Sequence, residues 1–157
     1  MSATDLEQRI ARLEAIEEIK RLKARYCAYC DDGYDPDGIA GLFTEDGIWD
    51  GESFGRHVGR EAIRAFFARA SGDITFAAHL VLNPIIEVAD ATHASGKWRL
   101  IMPATVRTDS GSEARWLVGA YDEQYVVDGG AWRFRSLKFH INFYAAHLGS
   151  WAEAAVR

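Results

Sequence analysis

The sequence predicts an α+β fold: three N-terminal helices packed in a strongly curved mixed or antiparallel sheet, a cone with a cavity at its mouth. Three observations predict it. Helical periodicity dominates as far as Gly72 and then stops. Four long alternating segments follow, separated by turn signals at Asp90-Ala-Thr92, Asp109-Ser-Gly111 and Asp128-Gly-Gly130. Strands of about twelve residues or more must twist and coil, which bends such a sheet around whatever it covers.

The elements follow in order. Leu6, Ile10, Leu13, Ile16, Ile19, Lys23 and Cys27 recur at three- and four-residue steps, so residues 5–31 read as one long helix. The run Asp-Asp-Gly-Tyr-Asp-Pro (31–36) stops it. Asp37 is placed to cap a short second helix over 38–43. Residues 44–47 read as a turn, 48–50 as a short strand, and 51–59 as a glycine-flanked hairpin. An amphipathic third helix follows at 59–69. The expected strands are 74–89, 93–108, 113–127 and 131–145. No repeat, low-complexity tract or linker interrupts the chain, which reads as one domain over 1–157.

Composition narrows the function classes. Hydrophobic residues make up 48% and charged residues 26% of the 157, a globular balance that can bury one sizeable core. A net charge of −5 argues against nucleic acid as a standing partner, because phosphate binding needs a basic face. The polar start MSATDLEQR has no apolar core of a secretory signal, and no run is long enough to span a bilayer. Cys27 and Cys30 form C-x-x-C within a helix rather than in a βαβ redox setting, and read as two reduced thiols. These features lead to an expectation of a cytoplasmic protein without membrane or nucleic-acid partners.

The stretches RLKARYCAYCDD, GLFTEDGIWDG, GREAIRAFFA, HLVLNPIIEV, GKWRL and YDEQYVVDGGAWRFRSLKF stand in an order that resembles the NTF2-like superfamily, and within it the SnoaL-like branch. The stretches run from Arg21 to Phe139, and the resemblance covers roughly Glu14 to Phe143. The branch contains small cyclases, dehydratases and dehydrohalogenases, and the resemblance implies a homodimer or homotrimer. In its dehydratase and dehydrohalogenase members the working pair is an Asp ending the first long helix and a His on the strand after the third helix. These positions correspond to Asp31, with Asp32 adjacent, and His79. Some dehydratase members carry a second His on the next strand; here that region reads Ile101-Met-Pro-Ala-Thr105, a departure from the pattern. Ketosteroid-isomerase-like members use a Tyr on the first helix and an Asp ending the first short strand, the places of Tyr26 and Asp50.

The residues themselves suggest the chemistry. On a strand, His79 shares a face with Ala77, Val81 and Asn83, which leaves room beside its ring. Imidazole suits a base near neutral pH, and a carboxylate on one ring nitrogen fixes the other as acceptor. Asp31 is the expected partner, and Tyr26 the expected phenolic acid. Asp50, Trp49, Trp98, Trp116, His140 and Asn142 are candidate substrate contacts. No ligand spacing suits a metal and no glycine-rich loop suits a nucleotide, so the expected chemistry is cofactor-free. The reading is a lyase or isomerase acting on a small hydrophobic molecule, cyclic ones included. Its rivals are an isomerase built on Tyr26 and Asp50, and a non-catalytic binding or assembly module.

Overall fold

The computed structural model describes residues 3–147. Helix α1 runs Ala3–Asp31, α2 Pro36–Gly41 and α3 Arg60–Asp73. The strands are β1 Phe43–Asp50, β2 Arg56–Val58, β3 Ile74–Ala77, β4 Leu80–Val88, β5 His93–Thr108, β6 Gly111–Asp128 and β7 Ala131–Ala146, with a 3-10 turn at Glu52–Phe54. One sheet takes the order β2-β1-β7-β6-β5-β3, with β4 also paired to β5. All pairs are antiparallel except β1–β7, so the sheet is mixed.

Helix α1 is amphipathic only in its C-terminal half. Ile19, Leu22, Lys23, Tyr26, Cys27 and Cys30 are buried, whereas Leu6, Ile10 and Leu13 are exposed. The apolar period predicts the helix correctly but not which part of it the sheet covers. The helix ends through Gly33 and Tyr34, both in the left-handed region at φ +69° and +58°. The amides of Tyr34 and Asp35 bond back to the carbonyls of Cys30 and Tyr29.

The cap of α2 is Asp35, not Asp37. Pro36 takes the first helical position, where its missing N–H is no loss, so the residue before it caps. The Asp35 carboxylate accepts from the amides of Asp37 and Gly38 at 3.1 Å each. Asp37 instead pairs with Arg64 of α3 at 2.6 Å. The turn expected at 44–47 lies inside β1, as an irregularity in its pairing with β7 between Phe43 and Ile48. Helix α3 continues to Asp73 and passes directly into β3.

The expected single strand at 74–89 is two strands, β3 and β4, broken at Ala78 and His79. Both pair with β5 in one register, from Ala77 opposite Ala104 to Leu80 opposite Ile101. Ala78 still donates to the Pro103 carbonyl at 3.1 Å. In an antiparallel ladder a residue directs its N–H and C=O to the same neighbour, so the donor that Pro103 lacks belongs opposite Ala78. The ladder fails there for want of that donor.

The inward faces of β5, β6 and β7 carry Trp98, Leu100, Met102, Ala104, Leu117, Tyr121, Tyr125, Phe134, Leu137 and Phe139, all buried. Glu123 of β6, opposite Gly96, and Lys23 of α1 are fully buried and form an ion pair at 2.6 Å. Tyr125 donates its hydroxyl to Glu123 and accepts from Trp98 Nε1 at 3.0 Å. Gly96 permits this arrangement, since a Cβ there would stand 2.6 Å from the Tyr125 hydroxyl. The Lys23 ammonium also lies 3.2 Å from the centroid of the Tyr121 ring, a cation–π contact.

Two register shifts in the β6–β7 pairing, at Gln124/Tyr125 and Val118/Gly119, change the alternation of β7. The second leaves Asn142 as the extra residue, because Gly119 faces Ile141 and Val118 faces Phe143. Phe143, which strict alternation would put on the face of Leu137 and Phe139, is therefore half exposed.

Candidate active site

A cavity of about 60 Å³, measured as room for the centres of water-sized molecules, lies between the helices and the sheet. Its wall is almost wholly aromatic and aliphatic: Phe66 and Phe67 of α3, Trp49 of β1, Leu100 and Met102 of β5, and Leu117 and Phe139 beyond them. The polar side chains reaching it are His79 and three tyrosines, Tyr26, Tyr34 and Tyr121, besides the indole of Trp49.

His79 is held from behind by Asp31. The carboxylate accepts from the His79 backbone N–H at 3.0 and 3.1 Å and from ring Nδ1 at 2.6 Å. A carboxylate is an acceptor only, so the proton of this bond sits on Nδ1. Nε2 is then the basic nitrogen, and it has no partner among the described residues. The His79 side chain is only 6% exposed, and that of Asp31 36%, so the pair stands between cavity and solvent. The position of the carboxylate follows from the chain: Asp31 is the last residue of α1, and His79, next to the Ala78 amide that bonds β5, turns its own amide away from β5 at the edge of the sheet, towards that carboxylate. Near the negative end of a helix, the carboxylate gains from two donors. Asp32 is exposed and takes no part.

The tyrosines differ in their bonding. Tyr26 is buried and its hydroxyl accepts from Trp49 Nε1 at 2.9 Å. Tyr34 packs its ring edge-on to that of His79, with centroids 6.1 Å apart, and stacks on Phe67. The hydroxyls of Tyr34 and Tyr121 have no hydrogen-bond partner among the described residues. Burial pushes all three phenols well above the usual tyrosine range, so they remain protonated donors.

Of the residues singled out from sequence, the structure brings His79, Asp31, Tyr26 and Trp49 together. His79 lies in the break between strands rather than on one, so the shared face with Ala77, Val81 and Asn83 does not form. Asn83 itself sits at φ +50° in an irregularity of β4. Asp50 is not part of the cavity wall; its carboxylate accepts from the Glu52 amide at 3.2 Å and faces Arg56 at 3.9 Å. Trp98 is buried against Tyr125, away from the cavity. Trp116 bonds His147 at 2.9 Å, and His140 bridges Glu52 and Asp122 at 3.0 Å each. Asn142 is exposed. Trp116, His140 and Asn142 are outside the cavity wall because the inward rows of β6 and β7 hold other side chains, whereas Trp98 is in the inward row of β5 but further along it, beside Tyr125. Tyr121 is the site residue that the sequence reading missed. The alternation of Leu117, Gly119, Tyr121, Glu123 and Tyr125 along β6 carries the signal.

Among the described residues no group of three His, Cys, Asp or Glu side chains is placed to hold a metal ion. No helix there is long and apolar enough to cross a membrane.

Helices held in a curved, unclosed sheet, with a His–Asp pair beside an aromatic cavity, define a protein of the NTF2-like cone class. The chain belongs to the SnoaL-like domain family, whose model matches residues 11–138. None of the curated proteins matches it. Among solved structures it is similar to a hexachlorocyclohexane dehydrochlorinase, LinA type 3, from Novosphingobium barchaimii LL02, at 18% identity over 90% of this chain and 95% of that one, TM-score 0.80. A protein provisionally named scytalone dehydratase, from Novosphingobium aromaticivorans, is similar at 18% identity over 89% and 92%, TM-score 0.78. Rv3472 from Mycobacterium tuberculosis, a protein of unknown function, is similar at 26% identity over 90% and 77%, TM-score 0.69.

Proposed function

We propose that this protein is a cofactor-independent lyase or isomerase, in which His79 removes a proton from carbon in a small hydrophobic molecule. The observation that carries this reading is the arrangement of His79: a nearly buried imidazole with Nδ1 on a carboxylate and Nε2 unpartnered beside an apolar cavity. In an elimination, Nε2 takes the proton, the C–H electron pair becomes the second bond of a C=C, and the leaving group departs with its bonding pair. Asp31 faces the imidazolium that results and stabilises it. Protonated tyrosines face the negative charge that develops on the substrate or leaving group. Tyr26 is the phenol proposed as acid, with Tyr34 and Tyr121 offering hydroxyls not already engaged. The family and the two named neighbours support the general lyase or isomerase type. The rival built on Tyr26 and Asp50 loses support because Asp50 is engaged with Glu52 and Arg56.

The test is turnover by a panel of β-hydroxy ketones and polyhalogenated rings, followed as release of water or halide and as deuterium uptake from solvent. His79→Ala should abolish the turnover found with wild-type protein while leaving the circular dichroism spectrum unchanged. Normal turnover by that variant, with the same substrate, would sink the reading.

Self-association through the sheet is also proposed. Leu80, Ile101, Val118 and Phe143 stand opposite one another across β4, β5, β6 and β7. Leu80 and Phe143 are about half exposed, at 51% and 50%. A row of this kind on the outer face suits burial against a second copy.

A further inference from the structure

We infer that the substrate is an apolar ring bearing an anionic group, and that Arg69 and Arg107 bind the anion in a groove just outside the cavity. The inference rests on the reading of the aromatic cavity as the substrate site, and adds a binding site and a substrate class to it.

Size is the first ground. The cavity offers about 60 Å³. An apolar cavity of about 150 Å³ is what holds one benzene. A ring with any substituent therefore cannot be enclosed, and part of it must project outward.

The direction of projection is the second ground. A larger groove of about 470 Å³ adjoins the cavity, and the two share Phe54, Phe66, Ala70 and Ile74 as lining. Phe66 is the partition. It packs against Trp49 of the cavity wall at 4.6 Å between centroids and stacks on His57 of the groove at 4.3 Å, and these two rings are themselves 5.8 Å apart. A flat ring leaving the cavity meets an aromatic shelf rather than open water.

Charge is the third ground. The groove is lined by Arg69 of α3 and Arg107 of β5, side chains from two different elements. Neither guanidinium has a hydrogen-bond or ion-pair partner among the described residues. On α3 the contrast is with Arg60 and Arg64, whose guanidiniums are committed to Glu45, Asp128, Asp37 and Glu61. The other titratable groups facing the groove are Asp73, His57 and Tyr144. Two arginines against one aspartate leave a surplus of one positive charge with a neutral histidine. Arg115 lies over the Tyr144 ring at 4.8 Å and is bound to Glu113 at 3.0 Å, so it is spoken for. A carboxylate, sulfonate or phosphate on the projecting part of the ligand supplies the missing counter-charge, and a planar guanidinium suits its oxygens.

The test compares two fluorescent probes of one shape and different charge: 8-anilinonaphthalene-1-sulfonate and the neutral N-phenyl-1-naphthylamine. Wild-type protein should bind the sulfonate more tightly, and added salt should weaken only that probe. The pair Arg69→Gln and Arg107→Gln should weaken the sulfonate by roughly five-fold or more and leave the neutral probe unchanged. Equal loss of both probes, no loss of either, or no binding of either by wild type would each overturn the subsite. The arginine effect is read in probe affinity and the catalytic reading in turnover, so failure of one is separable from failure of the other.

Discussion

Asp31 and His79 are joined at two points, since one carboxylate receives both the backbone N–H of His79, at 3.0 Å, and its ring Nδ1, at 2.6 Å. The backbone bond satisfies an amide that faces away from β5 at the edge of the sheet. The ring bond sets which nitrogen is basic. A single side chain thus fixes both the position of the imidazole and its tautomer.

Replacing Asp31 separates these two effects. Asp31→Asn retains an acceptor for the amide but no longer dictates that Nδ1 carries the proton. Its kcat is expected to fall roughly 10²–10⁴-fold with KM little altered. Nitrogen chemical shifts of the imidazole should show the Nδ1–H form in wild-type protein and a mixture in the variant. Asp31→Ala also leaves the His79 amide unpaired, which should destabilise the fold by about 1–3 kcal/mol in urea titrations.

Lys23 and Glu123 are both fully buried and 2.6 Å apart. Lys23→Met leaves a carboxylate in the core with only Tyr125 as donor, and is expected to cost about 3–5 kcal/mol. Adding Glu123→Gln removes that charge, so the double variant should be more stable than Lys23→Met alone. Chemical denaturation of wild type, the two single variants and the double variant measures the coupling. Additive losses would show that the two residues do not stabilise one another.

Burial raises the Cys27 thiol to about 11 and moves Cys30 upward as well. Both should resist a thiol-modifying reagent at pH 8 in the folded protein and react on unfolding. The linkage has a definite sign. Below the ordinary thiol value of 9.0 both states are protonated and the stabilisation is fully present. As pH rises above it, the unfolded chain ionises first, and stability falls until the folded thiol itself titrates near 11. The raised phenols of Tyr26, Tyr34, Tyr121 and Tyr125 act in the same direction at higher pH. Melting temperature should therefore decline through this window, with tyrosinate absorbance appearing together with unfolding. A flat profile to pH 11 would contradict the burial of these groups.

The row Leu80, Ile101, Val118 and Phe143 gives a prediction for assembly. Val118→Glu with Phe143→Glu should shift the protein to monomer in light scattering coupled to gel filtration, with the circular dichroism spectrum retained. An unchanged mass would remove this face as the contact.

Much of this protein is legible in its sequence because it depends on local period and turn chemistry. The helical repeat from Ile19 to Cys27 places Tyr26 and Lys23 on the buried side of α1. Asp128-Gly-Gly130 fixes the β6–β7 hairpin. The order of segments marked His79 and Asp31 as a pair from positions 48 apart. Lys23 and Glu123, a hundred residues apart, gave no such signal, although each stands at an inward position of its own element.

Tertiary structure decided the rest. Periodicity cannot show that Pro103, on a neighbouring strand, deprives Ala78 of a donor and so turns one predicted strand into two. Nor can it show that extra residues in β7 rotate Phe143 to the outside. Both depend on register between strands, which is set by pairing over long separations and not by any window of residues. The sequence by itself determined the elements, their order and the residue types able to do acid–base chemistry. Only the folded sheet decided which of those side chains share one cavity, because a pocket wall is assembled from rows on different strands.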